Sequence, residues 1–272
     1  MAPARGLEVA ERSFEFLRSH TRILLGLAAF VVVPVELFVA YANRALYQNG
    51  LLSSLTGNAS TSLNQFGPSR TFGSSVLPAA SALVGELLSW IGLALMAGPV
   101  ARIVSAEMTG RRISMGEALR LPAKSWASLV VACLIVHVAE FVGIFAAGAG
   151  SYFAMSVFAI VSPIVSLEVA GPFKAIARAW TLSLRRLGPV LGLVMAMSLV
   201  TSLLSVAIAA LPTTLTSLVG FTGGWVLAGI GRVSATLVTF SVTSVFVAFL
   251  YIDLRSWTEG IDILVEVSQP ES

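Results

Sequence analysis

Three glutamates, Glu36, Glu86 and Glu140, stand inside apolar runs that are long enough to cross a bilayer. At 1.5 Å of helical rise per residue, each lies about 21 to 24 Å from the basic residue that marks the inner end of its run, so all three share one depth. His137 is one helical turn below Glu140 on the same face, and Arg232 enters from the outer end of the last run. These five residues form a candidate intramembrane polar cluster.

Two roles compete for this cluster. A carboxylate in hydrocarbon costs roughly 2.5–3.5 kcal/mol even on insertion scales, so each glutamate should be paired, protonated or turned toward water. One role is a shared site for a proton, a cation or a cationic ligand. The other, which we favour, is hydrogen bonding together with a pairing to Arg232 that fixes helix packing. His137 and Glu140 supply only a two-ligand fragment of a metal site, so no metal is predicted.

A second group of charged residues lies where apolar runs meet basic segments. Glu107 and Glu168 stand at the ends of two runs, and Asp253 and Arg255 stand at the end of the last one. Because Arg and Lys residues are close to them in sequence, we expect charge pairing that anchors short surface helices to the bundle. Ligand binding at these cytoplasmic-interface anchors is the alternative.

The composition is that of a membrane protein. Of the 272 residues, 56% are hydrophobic and only 11% are charged, whereas about 25% charged is usual for soluble domains. Cys133 is the only cysteine, which excludes an intramolecular disulfide. No phosphate-binding loop, dinucleotide fingerprint, serine nucleophile motif or zinc pattern is present. The sequence therefore predicts a protein that is not an enzyme and has no cofactor.

Hydropathy and helical periodicity predict an all-α fold: a polytopic transmembrane bundle of six spans with cytoplasmic amphipathic surface helices, forming one integral membrane domain over residues 1–272. A cleaved signal peptide is a weaker alternative for the first span. The predicted segments are a surface helix over 7–18, spans over about 23–42, 79–104, 126–147, 151–168, 187–211 and 233–254, an outer loop over 43–78, and surface helices over 115–121 and from Pro172.

Local signals set several helix ends. Ser114 and Glu117 have the spacing of a capping box, and Pro172 suits the first turn of a helix. The glycines at 148 and 150 predict a tight link between the third and fourth spans. Pro212 is predicted to end the fifth span, and the Gly-interrupted stretch over 213–224 to form a re-entrant or outer-surface helix. A seventh span is the weaker alternative for that stretch.

The basic residues predict the orientation. All 17 Lys and Arg residues except Arg44, Arg70 and Arg232 fall in the N-terminal segment, in two loops or at the C-terminal end. By the positive-inside rule these segments are cytoplasmic, which places both termini inside a cell membrane crossed several times. The excess basic charge is thus explained without nucleic-acid binding. The surface helices are expected to attract anionic lipid headgroups.

The chain contains a motif twice. IVSAEMTG at Ile103–Gly110 and IVSLEVAG at Ile164–Gly171 are 61 positions apart, and each leads from an apolar run into a basic amphipathic segment. The matched Glu and Gly predict an internal repeat, with units over about 79–147 and 151–211. Convergence on one way of leaving a membrane is the alternative.

Three regions resemble a known family. They are GLEVAERSFEFLRSH before the first span, SPIVSLEVAGPFKAIARAWTLSLRR in the middle and LYIDLRSWTEGIDI near the end. They resemble the largely actinobacterial six-span proteins that are related to the membrane domain of some glycerophosphodiester phosphodiesterases. The resemblance implies a plasma-membrane helical bundle and little about activity, because the phosphodiesterase's catalytic barrel has no counterpart in this chain.

The sequence therefore predicts a non-enzymatic integral protein of the cytoplasmic membrane, a structural or accessory component of envelope or lipid-handling machinery. Its expected partners are the bilayer, anionic headgroups and a membrane protein. The alternative is a small transporter or channel that uses the intramembrane glutamates; it requires a water-accessible cavity reaching them. A lipid-modifying enzyme is a third hypothesis, weakened because the Glu107 and Glu168 level has no nucleophile.

Overall fold

The computed structural model describes residues 6–42, 72–146, 148–219 and 224–259, with the side chains of 6, 7, 42, 72–83, 86, 123 and 217–219 outside that description. All regular structure in these ranges is helical, which confirms the predicted all-α class. The helices are α1 (Gly6–Ala42), α2 (Phe72–Met108), α3 (Met115–Leu119), α4 (Ala123–Ile144), α5 (Ala149–Phe158), α6 (Val161–Glu168), α7 (Pro172–Leu184), α8 (Leu187–Val219) and α9 (Gly224–Glu259).

Six helical segments in the described part of the chain are long and apolar enough to cross a membrane, as predicted. They are Glu8–Tyr41, Leu87–Met108, Lys124–Ile144, Ala149–Glu168, Leu187–Thr216 and Gly224–Glu259. Within α8, only 11% of an apolar 18-residue stretch is buried inside the protein. An exposed apolar surface of this length requires a nonaqueous environment. The six segments indicate a multi-pass membrane protein.

The helices divide into two compact units. The first unit holds the described residues within Met1–Leu27, Leu93–Thr201 and Phe240–Ser272, and the second holds those within Ala28–Gly92 and Ser202–Thr239. The first is built on fully buried apolar side chains such as Leu24, Val100, Leu129, Ile164 and Leu250. The second buries Val32, Val39, Ala40, Ala228 and Ala235, together with the carboxylate of Glu36.

Helix α1 is bent at His20. The backbone there leaves helical geometry, with φ −115° and ψ 17°. Ser19 Oγ donates to the carbonyl of Phe16 at 3.0 Å, and Thr21 Oγ1 donates to that of Leu17 at 2.7 Å, so hydroxyls bind backbone groups on both sides of the bend. The bend lies between the predicted surface helix over 7–18 and the predicted first span.

The capping box is confirmed. Ser114 Oγ accepts a hydrogen bond from the backbone N–H of Glu117 at 3.2 Å and begins α3. At the other end, Arg102 Nη1 lies 3.1 to 3.2 Å from the carbonyls of Glu117, Ala118 and Arg120. The carbonyl of Glu117 also accepts from the backbone N–H of Arg120 at 3.2 Å, and a cation is favourable at that end of the helix dipole. Helix α3 therefore ends at Leu119, two residues before the predicted end.

The link between α4 and α5 is tight, as predicted. Gly148 has φ +77°, a conformation that glycine adopts without steric cost. Gly143 and Gly150 approach so closely that a Cβ on Gly143 would overlap the backbone of Gly150 and Ser151. Both helices in this hairpin belong to the first unit.

The fourth span is interrupted, which the sequence analysis missed. Helix α5 ends at Phe158, and α6 begins at Val161. Pro163 explains the break, because it has no N–H for the carbonyl of Ala159 and its ring crowds that carbonyl. Close by, Ser183 Oγ of α7 donates to the carbonyl of Val157 at 2.8 Å.

The prediction that Pro212 ends the fifth span is wrong. Helix α8 continues through Pro212 to Val219, so residues 213–219 are no separate re-entrant or surface helix. Thr213 Oγ1 donates to the carbonyl of Ala209, and Thr216 Oγ1 to that of Pro212, each at 2.7 Å. A proline is tolerated inside a spanning helix when side chains and neighbouring helices compensate in this way. Residues 220–223 lie outside the described residues, and α9 starts at Gly224, earlier than predicted.

The two copies of the repeated motif end differently. Helix α2 runs to Met108, and Gly110 takes the left-handed turn with φ +74°. Helix α6 stops at Glu168, and Val169 takes the left-handed turn with φ +51°. Gly171 is instead the extended N-cap of α7, which begins at Pro172 as predicted. The matched glycines thus have different roles, and the internal repeat stays a prediction.

Candidate functional sites

The second unit holds a cluster that we call the Glu36 cluster, composed of Glu36, Arg232 and Thr236. Arg232 Nε donates to Glu36 Oε2, and Thr236 Oγ1 donates to Glu36 Oε1, both at 2.9 Å. Arg232 and Thr236 are one turn apart on α9, so both side chains reach the same carboxylate. The Glu36 side chain is 6% exposed and that of Arg232 is 42% exposed. The buried charge is therefore compensated at both of its oxygens.

Close backbone packing positions the Glu36 cluster. One turn further along α1, Ala40 lies against Gly229 of α9, where an added Cβ would stand 3.1 Å from the Ala40 methyl. Beyond this contact, the rings of Tyr41 and Trp225 meet edge to face with centroids 5.6 Å apart. From Glu36 to Tyr41 the residue numbers rise along α1, whereas their partners on α9 fall from Arg232 to Trp225. The two helices are therefore antiparallel. The small residues let the backbones approach, so that Glu36 meets its partners directly.

His137 and Glu140 meet within α4 of the first unit. Their Nε2 and Oε2 atoms are 3.7 Å apart, which is too long for a direct hydrogen bond. His137 Nδ1 lies 2.8 Å from the carbonyl oxygen of Cys133 and 3.5 Å from its sulfur. Since a carbonyl only accepts, Nδ1 is the donor in this contact. The second ring nitrogen, Nε2, is the one that faces Glu140.

The structure does not bring all five residues of the predicted intramembrane cluster together in the part of the chain that it describes. It brings Glu36 and Arg232 together in the second unit, and His137 and Glu140 in the first. The side chain of Glu86 lies outside the described residues. Among the described residues, no group of three or more His, Cys, Asp and Glu side chains has the arrangement of a metal site. One site shared by all three glutamates stays a prediction.

The first unit contains a closed network that we call the charge ring, formed by Glu168, Arg178, Tyr251, Arg255 and Glu259. Glu168 Oε1 accepts from the Tyr251 hydroxyl at 2.8 Å and from Arg178 Nε at 3.3 Å. Arg178 Nη2 also donates to Glu259 Oε1. Glu259 Oε2 accepts from Arg255 Nε at 2.9 Å, and Arg255 Nη1 donates to the Tyr251 hydroxyl at 3.3 Å. The ring joins the end of α6, the middle of α7 and the end of α9.

The predicted interface anchors have partly different partners from those expected. Glu168 pairs with Arg178, but Glu107 pairs with His20, with Nε2 and Oε2 2.9 Å apart. Arg255 pairs with Glu259, one turn away on α9. Ser256 Oγ donates to the backbone carbonyl of Asp253 at 2.8 Å. The contact between His20 and Glu107 ties the bend of α1 to the end of α2.

Helix α7 presents three different faces. At 100° per residue, the buried residues Ala175, Ala179 and Leu182 form one face, which packs on the first unit. Phe173, Trp180 and Leu184 form a second face and are 74%, 43% and 37% exposed. The cationic residues of the third face, between the other two, are Lys174, Arg178 and Arg185. The large apolar residues of α7 therefore lie on a largely exposed face, where Trp180 also contacts Phe153 and Phe158 of α5, and the two alanines pack inward.

A cation–π contact joins the corner between α7 and α8 to α9. The guanidinium carbon of Arg186 lies 3.8 Å from the ring centroid of Trp257, which is itself 44% exposed. A cation over an aromatic face is an attractive geometry. It adds a second connection between the α7 region and the last two turns of α9.

Sequence reasoning missed the partners that complete these sites: His20, Tyr251, Glu259 and Thr236. Helical spacing was the available signal for three of them. Tyr251, Arg255 and Glu259 recur every four residues on one face of α9, and Thr236 is four residues from Arg232. Nothing in the sequence indicated the pairing of His20 with Glu107, which joins two helices distant in sequence.

A comparison of the chain with protein-family models, with curated proteins and with solved structures finds no match.

Proposed function

We propose that the chain is a non-enzymatic, multi-pass protein of a bacterial cytoplasmic membrane, with both termini in the cytoplasm. It serves as a structural or accessory component of envelope or lipid-handling machinery. Support for the orientation comes from the basic residues, which concentrate in the segments assigned to the cytoplasm. The resemblance of three sequence regions to phosphodiesterase-associated membrane domains supports the bacterial membrane.

The charge ring is the observation that carries the proposal. Both carboxylates in it, Glu168 and Glu259, accept from arginines, and Glu168 also accepts from Tyr251. Carboxylates held by several donors serve to fix helices and are poorly suited to act as bases or nucleophiles. A ring that joins three helices gives this end of the unit a defined shape, which suits a docking or scaffolding role.

The three faces of α7 support a position at the cytoplasmic membrane surface. One face packs on the protein, the exposed Phe173 and Trp180 suit the acyl chain boundary, and Lys174 and Arg185 suit the headgroups. Each basic residue near an anionic surface contributes about 1 kcal/mol of attraction. Anionic phospholipid is therefore the lipid partner that we propose for this surface.

The Glu36 cluster favours packing over transport. Both oxygens of Glu36 are already engaged by Arg232 and Thr236, and the side chain is 6% exposed. A carboxylate that carries ions must exchange its partners for the ion and reach water. In the proposed role, Glu36 remains in its ion pair.

Purification of the intact chain from its native membrane, with mass spectrometry of the bound lipids and proteins, tests the accessory role. We expect anionic phospholipid and a membrane-protein partner to co-purify. The double variant K174Q/R185Q should lose the anionic lipid at least fivefold. The matched control R44Q/R70Q removes two charges from the opposite, predicted outer side and should retain it.

Two results would contradict this proposal. One is a lipid composition that is the same as that of the bulk membrane and does not change in K174Q/R185Q. The other is proton or cation flux by the purified chain in proteoliposomes, with loss of flux in E36Q at normal folding. That second result would establish the transporter alternative.

A further inference from the structure

Arg232 has more hydrogen-bond donors than the described residues satisfy. Its guanidinium carries five N–H groups in a fixed plane. Within the described residues, Nε donates to Glu36, and no acceptor contacts Nη1 or Nη2. The side chain is 42% exposed, so its terminal nitrogens reach the surface of the unit.

The open side of the Glu36 cluster is therefore cationic. Glu36 is buried, and its oxygens are occupied by Arg232 and Thr236, so neither oxygen of Glu36 faces outward. Within the Glu36 cluster, the donors left over belong to Arg232. A ligand of these donors is an acceptor with negative charge, in contrast to the proton or cation site that was the alternative for the glutamates in the sequence.

The aromatic pair of Tyr41 and Trp225 marks the headgroup boundary that lies nearest to Arg232. The edge-to-face pair of Tyr41 and Trp225 has the aromatic character typical of a membrane interface. Along the helices, Glu36 lies about 7.5 Å inward from Tyr41, and Arg232 lies about 10.5 Å inward from Trp225. From this level, the long side chain of an arginine is able to reach toward the phosphates of the nearby leaflet.

The guanidinium is also held in place before a ligand arrives. The bond from Nε to Glu36 fixes the plane, and Thr236 fixes the carboxylate that accepts it. The contact of Ala40 with Gly229 holds α1 and α9 together one turn away. Such preorganisation lowers the entropy that is lost on binding, and the edge formed by Nη1 and Nη2 suits two oxygens of one phosphate.

We propose that Arg232 binds the phosphate group of a phospholipid in the leaflet on the side of Tyr41 and Trp225. Nη1 and Nη2 donate to two phosphate oxygens while Nε remains on Glu36. This site differs from the cytoplasmic lipid surface of α7, and it depends on the membrane-embedded bundle of the proposed function.

The test uses the full chain reconstituted in nanodiscs that contain a phospholipid with a photoreactive group beside its phosphate. The readout is the cross-linking yield on residues 224–239, measured by mass spectrometry, which separates this site from α7. In R232K the yield should fall about five- to tenfold, because lysine keeps the charge and loses the planar fork. The same loss is expected in E36Q/R232Q, which leaves no unpaired buried charge.

E36Q distinguishes an anion site from a cation site. Glutamine keeps an oxygen that accepts from Nε and removes the counter-charge of Arg232, so the yield should remain or rise. R112Q is the matched control, since Arg112 is exposed and outside the Glu36 cluster, and its yield should not change. Excess inorganic phosphate should leave the yield unchanged if a lipid is the source of the phosphate; displacement would overturn the lipid assignment in favour of a free anion.

The proposal is overturned if R232K and E36Q/R232Q cross-link like the wild type, or if E36Q alone abolishes cross-linking. Size-exclusion profiles and thermal unfolding of each variant show that it is folded. A chain that does not insert into the bilayer contradicts the proposed function. Normal insertion with unchanged cross-linking contradicts the phosphate site alone.

Discussion

Glu36 and Arg232 are 196 positions apart in the chain, yet Oε2 of the first lies 2.9 Å from Nε of the second. Glu36 also accepts from Thr236, which is one turn from Arg232 on α9. One turn further along α1, Ala40 packs against Gly229 of α9. The ion pair therefore fixes the register of α1 against α9 in the second unit. A residue that looks like a transport carboxylate in sequence has a packing partner on each oxygen.

Replacement of Gly231 by alanine should destabilise the protein by about 1–3 kcal/mol, because the new methyl would overpack the contact with α8. A Cβ at this position would lie 2.8 Å from Cβ and 2.9 Å from Cγ of Pro212. Pro212 has a rigid ring and cannot move aside by a rotamer change. Equilibrium unfolding in mixed detergent measures the effect.

Gly26→Ala is the matched control for Gly231→Ala. Gly26 lies inside α1, and an added Cβ there meets no atom within 4 Å. Alanine is a better helix former, so this variant should be unchanged or more stable by about 0.5–1 kcal/mol. Equal destabilisation by both variants would contradict the close packing of α8 on α9.

Tyr251→Phe should destabilise the first unit by about 2 kcal/mol, because it removes a hydroxyl that binds two charged groups of the charge ring. That hydroxyl donates to Glu168 at 2.8 Å and accepts from Arg255 at 3.3 Å, and Tyr251 is 1% exposed. The same unfolding measurement applies.

Tyr152→Phe provides the comparison for Tyr251→Phe. The Tyr152 hydroxyl donates to one neutral acceptor, the carbonyl of Leu191, at 3.0 Å. Its loss should cost about 1 kcal/mol, less than the loss in the charge ring. If Tyr251→Phe is the milder variant, the ring does not fix these helices.

Cysteine labelling should establish the orientation. Cys133 is the only cysteine and is buried, so a Cys133→Ala protein provides a background for single new thiols. A membrane-impermeant thiol reagent should label Ala149→Cys in intact cells, and should label Arg112→Cys only after permeabilisation, because basic loops remain inside. The reverse pattern would contradict the proposed orientation.

Patterns carried by consecutive residues predicted the fold well. The length of the apolar runs gave the six spans, and the spacing of Ser114 and Glu117 gave the cap of α3. Prolines were harder, because their effect depends on what surrounds them. Pro212 is tolerated inside α8, where threonine hydroxyls bind nearby carbonyls, whereas Pro163 coincides with a break between helices.

The candidate sites were less predictable, because their contacts join distant parts of the chain. Depth along a helix grouped Glu36 with Glu86 and Glu140, but depth does not tell which way a side chain points. The pairing with Arg232 followed from charge and the need to compensate it. The contact of Glu107 with His20 depends on the bend of α1, and no local pattern in the sequence predicts that bend.

The most direct test of the account is a double-mutant cycle of Glu36→Gln and Arg232→Gln, read as free energies of unfolding in mixed detergent. Arg232→Gln alone should cost about 3 kcal/mol, because it leaves a buried carboxylate without its partner. The double variant should cost less than the two single changes together, with a coupling of about 2 kcal/mol. Additive effects, with no coupling between the two positions, would contradict the claim that Glu36 is held in a structural ion pair.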